Sequence, residues 1–235
     1  MSNKFCDNVL EFNEYLANVN ISLFDNYKLV NPFKGNNSNE VKKMTNAFYK
    51  KYYNDFNKRY LILGSSPARR GTSVTGIPFE DASHLFNVTG IKADSFYINK
   101  SNSDFLYEVM DAYGGCEKFY KDFYMSFVCP LGISNINAKG NEINFNYYEN
   151  KKLKESLYDF IVDTLKRQIE FGIDTSVCFC IGSGENYKFL MEINDEYKLF
   201  KRIIPLEHPR FIMQYNKKDK NMYLNKYVNI LKNKR

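Results

Sequence analysis

Four short stretches of this chain carry apolar residues at nearly every position: residues 60–63 (Tyr-Leu-Ile-Leu), 123–128, 177–181 and 202–205. A strand exposed on one side alternates apolar and polar residues, whereas a run without alternation buries both faces, as strands of a covered parallel sheet do. Between the second and third runs, residues 151–171 place Leu153, Leu157, Phe160, Ile161, Leu165 and Ile169 along one helical face. Residues 185–194 predict another helix between the third and fourth runs. Ahead of the first run, residues 6–19 and 40–56 predict helices joined by a loop over 32–38. Residues 141–148 alternate loosely and suggest an extra edge strand or a hairpin. Strands alternating with helices predict an α/β fold with a mostly parallel sheet covered on both faces.

Each apolar run ends in a loop with distinctive chemistry. These are Gly64-Ser65-Ser66-Pro67, Cys129-Pro130-Leu131-Gly132, Gly182-Ser183-Gly184 and Glu207-His208-Pro209-Arg210. Ligands of open α/β sheets bind beyond the carboxyl ends of the strands, so the four loops are expected to share one crevice. His208 stands out because the chain has only two histidines, and imidazole suits proton or anion chemistry near neutral pH. His84 follows Asp81-Ala82-Ser83 and reads as a surface or capping residue. The loop from Gly64 to Phe79 suits an anion, with Arg69 and Arg70 beside it, but lacks the Gly-Lys-Ser/Thr ending of a nucleotide P-loop. Gly182-Ser183-Gly184 lacks the third glycine of a dinucleotide fingerprint. Phe79, in a loop after Gly76-Ile77-Pro78, is expected to wall a pocket.

The 235 residues suit one domain: an N-terminal helical part (1–57), a core with the loops (58–215) and a basic C-terminal helix (216–235). The net charge of +6 is unevenly spread. Residues 202–235 hold nine Lys or Arg against Glu207 and Asp219, a net of +7, so the other 201 residues sum to −1. Clustered positive charge of this kind suits phosphates. The five cysteines form no zinc-like spacing and read as core residues in a reducing compartment. With no signal-like N-terminus and no run long enough to span a membrane, a cytoplasmic protein without membrane contact is expected.

The motifs resemble a known family. Gly64-Ser65-Ser66-Pro67-Ala68 followed by Val74-Thr75-Gly76-Ile77-Pro78-Phe79 is similar to the first motif of the single-strand-selective monofunctional uracil-DNA glycosylases. Phe127-Val128-Cys129-Pro130-Leu131 resembles their central strand, and His208-Pro209 their late His-Pro motif. Residues 206–215 resemble a bacterial side branch of that family, whose motifs read Thr-Gly-Ile-Pro-Phe-x-Asp and Leu-x-His-Pro-Arg-Phe-Ile-Met-Gln-Tyr. The resemblance implies a three-layer α/β/α sandwich around a four-stranded parallel sheet. It also implies a monomeric, hydrolytic glycosylase that removes uracil or another deaminated base from DNA, without metal or cofactor.

By the same resemblance, Phe79 stacks on the flipped base and His208 hydrogen-bonds the departing base as negative charge grows on it. Gly64, Ser65, Ser126 and Phe127 would complete the base pocket. Arg69, Arg70, Ser183, Arg210, Lys217, Lys218 and Lys220 would meet the DNA. Two positions depart from the family. Ser66 replaces the asparagine that positions the attacking water, and the central-strand asparagine that reads the base has no counterpart. Asp81 is then the alternative water activator beside Ser66. Lys92 and Lys188 read as surface residues, so no Schiff-base lysine is expected. Loss of the two asparagines also leaves open a DNA-lesion reader without catalysis, or an enzyme of free nucleosides or nucleotides.

Overall fold

The computed structural model describes residues 3–69, 72–80, 82–91 and 101–234, without the side chains of residues 82, 83 and 101–103. The chain opens with α1 (Phe5–Asn18), β1 (Tyr27–Val30), α2 (Ser38–Tyr52) and β2 (Arg59–Gly64). Four helices follow, α3 (Thr72–Thr75), α4 (Ala82–Thr89), α5 (Ser101–Tyr113) and α6 (Cys116–Asp122), before β3 (Phe123–Phe127). A hairpin of β4 (Gly132–Ile136) and β5 (Glu142–Phe145) leads through a short 3-10 turn (Tyr147–Glu149) into α7 (Lys151–Ile169). The last part comprises β6 (Ile173–Ile181), α8 (Glu185–Tyr197), β7 (Ile203–Leu206), α9 (Pro209–Tyr215) and α10 (Lys220–Lys232).

The central sheet has the order β3-β2-β6-β7, and all three pairings are parallel. The four strands are the four apolar runs. Their uninterrupted burial explains the missing alternation: all five residues of β3 are buried, as are Leu61, Ile62 and Leu63 of β2. Helices cover this sheet in a three-layer α/β/α sandwich. Pro205 sits in β7, which among the described residues pairs with β6 alone, so a missing N–H on the outer side breaks no ladder. Register aligns Gly64 with Phe127 and Ile181 with Leu206, so all four strands end along one edge.

Two expectations are corrected, and a choice between two others is resolved. The helix expected to run to Phe56 stops at Tyr52, because the following segment has other partners. The Tyr53 and Asp55 carbonyls accept the N–H groups of Cys6 and Phe5 and so cap the start of α1. The Asp55 carboxylate meanwhile takes both terminal nitrogens of Arg59 at 2.9 Å. Of the two readings of the stretch 141–148, the hairpin holds and the edge strand of the main sheet does not. Strand β5 pairs antiparallel with β4, and β4 with β1, in a separate three-stranded sheet. The C-terminal helix begins only at Lys220, after a helical turn that starts directly at Pro209.

Cys129, Cys178 and Cys180 are fully buried, as core thiols are. No helix is long and apolar enough to cross a membrane among the described residues. Nor do any of them form a group of three or more His, Cys, Asp or Glu able to hold a metal ion.

Candidate active site

Gly64 ends β2, and the chain then turns across the top of the sheet. The Val128 and Cys129 N–H groups donate to the Gly64 and Ser65 carbonyls at 2.8 and 2.9 Å, which carries the β2–β3 pairing into both loops. Ser66 is buried, and its neighbour Ser65 is partly exposed. Further on, Ser73 Oγ donates to the Pro67 carbonyl, and Arg69 N–H to Asn144 Oδ1 at 2.9 Å. The Arg69 guanidinium reaches Glu142 at 3.5 Å. The small sheet therefore acts as a brace for the first loop.

Phe79 holds a left-handed backbone, φ 61°, which L-residues other than glycine adopt at a cost of about 1 kcal/mol or more. Its N–H donates to Thr72 Oγ1 at 3.1 Å. The next residue, Glu80, is buried, and its carboxylate accepts the hydroxyls of Tyr107 and Tyr120. These contacts over-determine the turn. As a result the Phe79 ring stacks on Phe127, with centroids 5.1 Å apart and planes 26° apart, while the residue stays only half-buried. Ser126 is buried on β3, two residues after the equally buried Tyr124. It borders a small cavity of about 20 Å³, together with Asn13, Pro78 and Phe127.

His208 follows β7 and caps α9: its Nδ1 accepts the Arg210 backbone N–H at 3.0 Å. That bond assigns the proton to Nε2 in the neutral ring. Burial, with the Arg210 charge adding to it, lowers the imidazole pKa to about 4. Glu207 faces away, towards Lys226, and its carbonyl accepts the Tyr227 hydroxyl. A neutral imidazole that donates through Nε2 therefore stands at the end of β7. Its strand lies two positions from β2, roughly 10 Å at ordinary strand spacing. That is room for one base ring between the two loops.

The described DNA-facing candidates divide. Ser183 is exposed in the turn before α8, where the Gly182 N–H donates to the Leu206 carbonyl. Arg210, Lys217 and Lys218 are exposed, with Arg210 Nε bonded to Gln214. Lys220 is instead paired with Glu108 of α5 at 2.8 Å, which fastens α10 to its neighbour. Lys226 and Lys234 likewise pair with Glu207 and Asp122. Part of the C-terminal positive charge is thus matched within the fold. Asp81 and Arg70 lie outside the described residues. His84 stacks on Tyr107, with centroids 3.7 Å apart, rather than standing free on the surface.

Sequence reasoning missed three residues of the turn after β5. Asn146 Oδ1 accepts from Ser65 Oγ at 3.2 Å and from Ser66 Oγ at 3.4 Å. Glu149 Oε1 takes the Asn146 backbone N–H at 3.1 Å and also its side-chain amide. Asn followed three residues later by Glu is a readable helix-start signature, but it gives no hint of what the asparagine faces. Between the two, Tyr147 is wholly buried, and its hydroxyl donates to Asn186 Oδ1 at 2.6 Å.

Cys129, at the end of β3, is no nucleophile: burial pushes its thiol up to about 12. The loops along this sheet edge therefore offer an aromatic platform, a neutral imidazole donor and a pair of serine hydroxyls.

Comparison with known proteins agrees with this geometry. The model of a family described as the Uracil DNA glycosylase superfamily matches residues 50–232. The chain is also similar to the crystal structure of wild-type SMUG2 from Pedobacter heparinus, with 45% sequence identity, 97% of each chain covered and a TM-score of 0.91. No curated protein matches the chain.

Proposed function

Because the chain belongs to the uracil-DNA glycosylase superfamily, we propose that it hydrolyses the N-glycosidic bond of uracil or another deaminated base in DNA, as a first step of base excision repair. The observation that carries this reading is the state of His208. As the C1′–N bond breaks, its electron pair moves onto the departing base, and a neutral imidazole donating through Nε2 stabilises that charge without first losing a proton. Phe79 supplies the face on which the flipped base stacks. The buried hydroxyl of Ser66 is the water-holding group, with Asp81, two residues after Phe79 in sequence, as a further candidate. Water adds to C1′ and its proton leaves to solvent or a neighbouring base, so the reaction is hydrolytic and monofunctional.

Arg69, Arg70, Ser183, Arg210, Lys217 and Lys218 are proposed to line the path of the phosphates. The protein is proposed to act as a monomer inside the cell. The test is a labelled oligonucleotide with a single uracil, treated with hot alkali after incubation. Cleavage at the uracil by the natural chain, reduced about 10²–10³-fold in His208→Ala, supports the reading. Intact strands with uracil, hypoxanthine and xanthine alike would overturn it, and DNA retained in a gel shift would then point to a lesion reader.

A further inference from the structure

We propose that Asn146 is a positioning residue for the hydrolytic water and acts through Ser66; this rests on the glycosylase reading above. A serine hydroxyl alone has no fixed sense, because it donates one hydrogen bond and accepts two in any rotation. Here the sense is fixed. Ser66 Oγ donates to Asn146 Oδ1 at 3.4 Å, and Ser65 Oγ fills the other lone pair of the same oxygen at 3.2 Å. The Ser66 proton is thereby committed to Asn146, and the oxygen has only lone pairs left to offer a water. A water bound there donates an O–H to Ser66 and keeps its own lone pairs for an electrophilic carbon.

Two observations show that Asn146 is held in one orientation rather than left to rotate. Glu149 takes both the backbone and the side-chain N–H of Asn146, so the amide can present only its oxygen to the serines. A carboxylate behind the amide also makes that oxygen a stronger acceptor. The adjoining Tyr147 is anchored in the core on Asn186, which in turn donates to the Ile181 carbonyl and to Cys180 Sγ at the end of β6. Asn146 is therefore registered to the same sheet edge that carries Ser66, although it arrives on the other sheet.

The test is a double-mutant cycle on single-turnover excision of uracil, with binding to DNA carrying an uncleavable analogue measured in parallel. Asn146→Ala is expected to slow excision on the order of 10²-fold, the cost of a misplaced reacting group, with binding changed less than twofold. In a Ser66→Ala background the same substitution should have almost no further effect, because the group it acts through is gone. A purely structural role for Asn146 would instead slow both backgrounds equally, and that additivity would overturn the proposal. If Asn146→Ala does not fold, Glu149→Gln serves in the same cycle. It weakens the clamp, and it should slow excision only when Ser66 is present. Unaltered excision in these variants sinks the role of Asn146 and leaves the glycosylase reading standing. A natural chain that excises no base sinks both.

Discussion

A methyl group on Gly64 would come within 2.7 Å of the tip of the Phe79 ring and within 2.9 Å of Phe127. The end of β2 and the stacked pair are in such close contact that no other side chain fits at this position. Gly64→Ala is expected to displace Phe79 from its stack and to destabilise the fold by about 1–3 kcal/mol, as overpacking does. Urea unfolding and single-turnover excision check this. Unaltered excision would show that the ring's position is immaterial.

The depressed pKa of His208 has a definite sign. In the unfolded chain this imidazole takes up a proton below about 6.5, whereas in the fold it resists until about 4. Between these values the unfolded state binds more protons, so stability falls as the pH is lowered from 6.5 towards 4 and is unaffected by this group above that window. Excision should likewise lack an acid limb near pH 6.5. Proton NMR in a His84→Gln variant follows the one remaining imidazole. A midpoint near 6.5 would remove the basis for a permanently neutral donor.

Arg59 is wholly buried, with Nε on the Tyr120 carbonyl at 2.7 Å, a fork to Asp55, and its plane 4.6 Å from the Phe5 and Tyr53 rings. Arg59→Met should cost about 3 kcal/mol, since several acceptors lose their donor at once. Arg59→Lys should recover little, because one ammonium cannot span the fork. Denaturant midpoints decide this, and a loss below about 1 kcal/mol would mean that the 53–58 segment is held by other contacts.

The C-terminal lysines are not equivalent. Lys217→Ala with Lys218→Ala should reduce the slope of log affinity against log salt by nearly two, whereas Lys220→Ala should leave it almost unaltered, its charge being matched by Glu108. Filter binding over a salt series measures both. Equal slopes for the two variants would place the phosphates elsewhere.

The central sheet was legible because its strands are buried on both faces, and continuous apolar runs record that burial directly. The second sheet was not. β1 has only four residues, all partly exposed or exposed, and β4 begins at Gly132, where a Cβ would strike Ser73 Oγ at 2.1 Å. Nothing local marks such a residue as strand. The loops after β2 and β7 announced their chemistry through scarce residues, His208 above all. Asn146 did not, because it meets Ser66 across 80 positions of sequence, in a chain where asparagine is common. Charge misled in one respect: a run of lysines does not reveal which of them have acidic partners in the fold, as Lys220, Lys226 and Lys234 do.

Phe79 occupies a backbone conformation that glycine or asparagine would hold with less strain. A library selected for thermal resistance alone would therefore favour replacing it, and the enriched variants would be sturdier proteins with no surface for a base to rest on. Survival of phenylalanine at this position reports selection for turnover, so its frequency in such a library, with and without a repair requirement, separates what the chain needs to fold from what it needs to work.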